Sequence, residues 1–107
     1  MYFDYLKEKD GKNAIIKDYG FCTYIISGKE CFLADIYIKP EFRNQKKGTE
    51  ILNELIVAAK SEGCEVITAR EYPHTDVTSN SMLCALTNGF KIISSNSEFI
   101  LIAKGIL

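Results

Sequence analysis

The chain has no tryptophan, one histidine and two prolines among its 107 residues. With His74 as its only imidazole and no CxxC pair among Cys22, Cys31, Cys64 and Cys84, it is poorly supplied for zinc. No metal is therefore expected. At this length a core holds without disulfides. The four cysteines read as reduced, buried thiols of a cytoplasmic protein. No apolar run approaches the roughly 20 residues that span a bilayer. The opening MYFDYLKEKDG lacks a basic segment followed by an apolar one, so neither a leader nor membrane attachment is expected. Net charge is −1, which supplies no global field to attract nucleic acid. What is present is ordinary for one globular domain, here taken as residues 1–107: 47% hydrophobic and 25% charged residues.

The first third reads as strands. YFDYLK (2–7) is aromatic, and Asp10-Gly11 marks a hairpin turn. NAIIKDY (13–19) and FCTYIIS (21–27) look like strands separated at Gly20, where a bulge or tight turn is expected. CFLADIYIKP (31–40) is a strand ended by Pro40. Strict alternation would put Phe32, Ala34, Ile36 and Ile38 on one face, and Leu33, Asp35, Tyr37 and Lys39 on the other.

Gly48, Ile51, Leu52, Leu55, Ile56 and Ala59 then share one helical face, and Gly63 is placed to end that helix. EVITAR (65–70) is a strand, and 71–80 a polar loop. SMLCALTN (81–88) is a short helix stopped by Asn88-Gly89. KIISS (91–95) and EFILIAK (98–104) form a terminal hairpin. The order β-β-β-β-α-β-α-β-β predicts an α/β (α+β) fold, a mixed, mostly antiparallel sheet with helices packed on it.

RNQKKGTE (43–50) places Arg43, Lys46 and Lys47 beside a helix start. Cations there oppose the helix dipole at roughly 0.3–1 kcal/mol each. A helix start also presents about four backbone N–H groups without intrahelical partners. Donors and dipole together favour an anion, and Gly48 lets one approach the backbone. The cluster is either a phosphate cradle or a solvated charge run.

IYIKPEFRNQKKGTEILNELIVAAKSEG (36–63) resembles motif A of the GNAT N-acetyltransferases, in which a strand ending V-x-P-x-x-R leads through [QR]-x-x-G-x-[GA] into a helix. Ile38, Pro40 and Arg43 fill the first positions, Arg43 to Gly48 the turn, and Thr49 the usual Ser/Thr place. SMLCALTNGFKI (81–92) is similar to motif B. The resemblance implies a GNAT-like acyl-CoA N-acyltransferase fold. It also implies that acetyl-CoA, as co-substrate, is held by Ile36, Ile38, Arg43, Asn44, Gln45, Lys46, Lys47, Gly48, Thr49, Thr78 and Ser81. The chain departs from the pattern where Lys46 replaces the first turn glycine and where Ala85 stands in the usual tyrosine place. About 12 residues precede NAIIKDY, so the region that closes over the acceptor is expected to be reduced. An open acceptor side would suit a protein lysine, a chain terminus or a partner subunit.

Amine acetylation needs a proton acceptor. Asp35, the one carboxylate within an apolar strand, is either that base or a strand residue paired with a lysine. Glu71, at the end of the next strand, is either the base or a loop carboxylate. Tyr37 either lines the acceptor site or packs. Cys84 is either a weak acid or core, and His74 a shuttle or an exposed loop residue. The expected activity is transfer of an acetyl group from acetyl-CoA to a primary amine, on a small molecule or a protein, by direct attack in a ternary complex. The alternatives are a CoA-binding module without catalysis and a partner-binding domain without CoA. Asp35 and Glu71 favour a cationic acceptor. FILIA (99–103) would be an unusually apolar edge if unpaired, which suggests a homodimer.

Overall fold

The computed structural model describes residues 11–72 and 84–107. The expected strand 2–7, most of the loop 71–80 with His74 and Thr78, and Ser81 lie outside the described residues. Among the described residues six strands form one sheet in the order β1-β2-β3-β4-β6-β5: β1 Lys12–Lys17, β2 Gly20–Ser27, β3 Glu30–Ile38, β4 Val66–Glu71, β5 Lys91–Ser95 and β6 Ile100–Gly105. Only β3 and β4 pair in parallel, and α1 (Lys47–Ser61) supplies the long crossover that a parallel pair needs. The turn between β1 and β2 falls at Asp18-Tyr19, not at Gly20, which instead opens β2.

The helical face read from the sequence is the buried one. Ile51, Leu52, Leu55 and Ala59 pack on Cys22, Cys31, Leu33, Ile67 and Ile102 of the sheet. Each buried Ile or Leu contributes about 1.5–3 kcal/mol, so this layer carries much of the stability. Gly63 ends the turn with φ +84° and donates to the Lys60 carbonyl. The cysteines are free thiols. Three are buried, and burial raises the Cys22 and Cys31 thiols to about 12. Cys84 is half-buried.

Two further expectations are corrected. In β3 the register steps from Tyr24↔Leu33 to Thr23↔Asp35, leaving Ala34 without a partner in a β-bulge. The bulge breaks strict alternation, so the inward positions are Cys31 and Leu33, then Ile36 and Ile38. Ala34 and Phe32 are not on one continuous face with Ile36. The second correction concerns FILIA. β6 lies between β4 and β5 and is hydrogen-bonded on both sides, with Ile102 and Ala103 buried. Its apolar character is that of an inner strand, which removes the reason for expecting a dimer through it.

Candidate active site

The sheet splits along one seam. Parallel pairing between β3 and β4 runs from Glu30↔Val66 to Leu33↔Ala69 and stops there. Beyond that point β3 stays with β2 as far as Ile38, while β4 stays with β6 as far as Glu71. The Ala34 bulge lies at the start of the split, where it bends β3 away. A cleft of about 560 Å³ fills the gap. Leu33, Ala69 and Ile102 form its floor, Ile36 and Ile38 one wall, and the start of α1 its mouth.

Why α1 begins where it does follows from Lys46. It caps the helix with φ +61°, in the left-handed region, after Asn44 at φ +63°. The chain thus accepts a strained conformation at the position where the family pattern has glycine. Lys46→Gly should stabilise the fold by roughly 0.5–1 kcal/mol, the relieved strain less the greater chain entropy of glycine. Thermal unfolding of the two proteins checks this. The first intrahelical bond of α1 is donated by the Glu50 amide to the Lys46 carbonyl. The N–H groups of Lys47, Gly48 and Thr49 therefore have no helical carbonyl to meet and stand at the cleft mouth.

The three cations of the turn are not equivalent. Lys47 lies 5.0 Å from the centre of the Tyr19 ring and 3.5 Å from Glu50. That carboxylate and ring offset its charge at the helix start. The same cluster, mostly through burial and then the bond to Glu50, pushes the Tyr19 phenol up to about 12. Arg43 donates from Nε to the Ile38 carbonyl at 3.0 Å and covers the Tyr37 ring. Lys46 has no ion pair among the described residues.

Arg43, Asn44, Lys46, Lys47, Gly48 and Thr49 all border the cleft, as do Ile36 and Ile38. Gln45 does not. Its amide donates to the Glu41 carbonyl and braces the turn. Glu71 lies in the cleft, half-buried, and loss of solvent raises its pKa above the usual carboxylate range. Tyr37 is at the rim, against Phe21 and Arg43. Asp35 is not brought to the cleft. Its side chain is 59% exposed, accepts from Thr23 Oγ1 at 2.7 Å and lies 4.0 Å from Lys12. The apolar setting expected around it is absent because its neighbours Ile36 and Leu33 turn the other way.

From the far side come residues 84–87, helical, ending at Asn88-Gly89 with Gly89 at φ +91°. Ala85, in the usual tyrosine place, is buried against the cleft. Cys84 also lines it. Burial pushes its thiol up, and nearby Glu71 adds to this against the bond from Asn88. Asn88 was legible from the sequence only as a helix stop. Its Nδ2 donates to Thr49 Oγ1 at 3.1 Å, a contact spanning 39 positions that no local pattern announces. Among the described residues no cluster of His, Cys, Asp and Glu could hold a metal ion, and no helix is long and apolar enough to cross a membrane.

Known acetyltransferases are similar to this chain in sequence and in fold. The acetyltransferase (GNAT) family model matches residues 5–87. Thialysine N-epsilon-acetyltransferase of Mus musculus is 31% identical over 58 residues, 51% of this chain and 34% of that protein. The Sus scrofa enzyme of the same name is 39% identical over 49 residues, 43% of this chain and 29% of its own length. The chain thus spans about a third of these curated relatives. The PaiA N-acetyltransferase of Thermoplasma acidophilum, solved in complex with coenzyme A, superposes with a TM-score of 0.78 at 20% identity, over 94% of this chain and 65% of that one. An acetyltransferase of Staphylococcus aureus superposes with a TM-score of 0.76 at 15% identity, over 97% and 78%. With the family model covering most of its length and its fold shared with solved acetyltransferases, this chain belongs to the GNAT acetyltransferase family.

Proposed function

We propose that the chain binds acetyl-CoA in the split between β3 and β4 and transfers the acetyl group to a primary amine by direct attack. The observation that carries this reading is the seam itself. It opens an apolar slot onto a helix start whose three free N–H groups, and Lys46 without an ion pair among the described residues, suit a diphosphate. The pantetheine arm lies along Ile36 and Ile38. The freed backbone of β3 near Ile38 supplies the N–H that polarises the thioester carbonyl. The incoming amine forms its bond to the carbonyl carbon and gives its proton to Glu71, directly or through water. The C–S bond then breaks. A thiol has a pKa near 8.5, so the CoA thiolate leaves without a strong acid, and Ala85 does not forbid turnover. An exposed Tyr37 at the rim and the carboxylate of Glu71 favour an acceptor whose reacting end is cationic before it loses its proton.

Titration calorimetry with acetyl-CoA tests the cradle. The parent should bind. Lys46→Glu should weaken binding severalfold by replacing attraction with repulsion, and Gly48→Trp should abolish it by filling the mouth. No heat from the parent would rule out any CoA site in this chain. One observation, the buried Ala85, also favours a second reading, a CoA-binding module without turnover.

A further inference from the structure

Asn88 makes the one side-chain hydrogen bond among the described residues between the second helix and α1. Its amide orientation is fixed by chemistry. Nδ2 lies 2.7 Å from the Cys84 carbonyl, which can only accept, so the nitrogen and not the oxygen must face it. The other N–H of that nitrogen goes to Thr49 Oγ1. Nδ2 also passes 3.7 Å from Cys84 Sγ. Residue 88 is itself anchored, because Lys104 Nζ donates to its backbone carbonyl at 2.5 Å.

A hydroxyl has one proton to donate. Thr49 accepts from Asn88, so Oγ1 must aim its own proton elsewhere. Among the described residues it donates to no partner. It borders the cleft and is the third residue of α1, beside the free N–H groups of 47–49.

We propose that Asn88 is a positioning residue for the diphosphate of the acyl-CoA donor. By occupying one of the two lone pairs of Thr49 Oγ1, it points the hydroxyl proton away from itself, as a donor that joins the three backbone N–H groups. This inference rests on the reading of the cleft as a CoA site. Asn88 itself borders the cleft, but both N–H groups of its Nδ2 are committed to the Cys84 carbonyl and Thr49 Oγ1. It acts through Thr49, and Lys104 holds it in place.

A double-mutant cycle on acetyl-CoA affinity tests it. A hydrogen bond to a charged group is worth enough that Thr49→Val should weaken binding about tenfold, and Asn88→Leu by a similar factor. The double variant should bind no more weakly than Thr49→Val alone, since removing the hydroxyl leaves Asn88 nothing to orient. Thr49→Ser, which keeps the hydroxyl, should stay close to the parent. Losses that multiply in the double variant would make Asn88 an independent structural brace and overturn the inference, as would parental affinity in Asn88→Leu. If Asn88→Leu does not fold, Thr49→Val against Thr49→Ser reads the hydroxyl directly, and equal affinity for those two overturns it. Failure of the parent to bind acetyl-CoA is a separate result that removes the CoA reading itself.

Discussion

Glu71→Gln should lower the rate of acetyl transfer by about 10²–10⁴-fold while affinity for acetyl-CoA stays close to the parent's, the result expected of the proposed role, a general base that does not hold the donor. The amide keeps the shape and removes the proton acceptor. The position suits the role for a physical reason. Glu71 ends β4 where the sheet has split, so it is half-buried in the cleft yet close to the surface from which an amine must arrive. Burial strips water from the carboxylate, which disfavours its charged form and raises its pKa. A base whose pKa is raised toward the working pH accepts a proton more readily than an ordinary carboxylate.

Two pH signatures follow. Glu71 must be ionised to act, so kcat/KM should rise with pH through its raised pKa and then level off. That limb should be missing in Glu71→Gln. Stability runs the opposite way. The folded state binds this proton more tightly than the unfolded chain, so Glu71 costs stability as pH rises from the ordinary carboxylate range through its raised value. Glu71→Gln escapes that cost and should be at least as stable as the parent at neutral pH. A rate profile across pH and unfolding curves at acid and neutral pH give the two readouts. An undiminished rate in the variant would place the base elsewhere. A parent that binds acetyl-CoA and turns over no amine would favour the binding-module reading.

Much of this site was legible because motif and helix period are local signals. The apolar spacing from Gly48 to Ala59 named the buried face of α1, and the turn from Arg43 to Thr49 named the cleft mouth. Lys46 stands in the place of a glycine, and the chain accepts a left-handed residue there. The phase of β3 is not legible in the sequence, because Cys31, Phe32, Leu33, Ala34, Ile36 and Ile38 are all apolar or neutral. Alternation had no polar position to fix the phase before Asp35, and a single inserted residue reverses every later side chain. That slip moved Asp35 from cleft to solvent. The apolar stretch 99–103 was read as a possible edge because the crossing of β6 between β4 and β5 is a property of topology, not of composition. The Asn88–Thr49 bond and the approach of Cys84 to Gly48 join segments about 40 positions apart, and only the packed fold brings them together.

Gly20→Ala should be the most damaging single methyl group that can be added to the sheet. A Cβ built there would stand 2.1 Å from the Tyr37 carbonyl oxygen, 3.0 Å from Ile38 Cα and 3.1 Å from Tyr37 C. All three are backbone atoms, so no side chain can swing aside. The strands themselves must part. Gly20 pairs with Ile38 at the end of β3, and the adjacent Tyr19 carbonyl accepts from the Lys39 amide at 2.8 Å, so separation there breaks the last ties holding β3 beside β2. Overpacking of this kind costs typically 1–3 kcal/mol, and with rigid backbone on every side about 3 kcal/mol is expected. In a domain of this size that lowers Tm by on the order of 10–20 °C. The same strand end forms the Ile36–Ile38 wall of the cleft, so acetyl-CoA affinity should fall even below the unfolding temperature. Gly105→Ala is the matched comparison. No heavy atom lies within 4 Å of a Cβ there, and its φ is not positive, so its effect should stay within about 0.5 kcal/mol. Equal melting of the two variants would mean that β2 and β3 part more easily at this end than the close approach of Gly20 to Tyr37 requires.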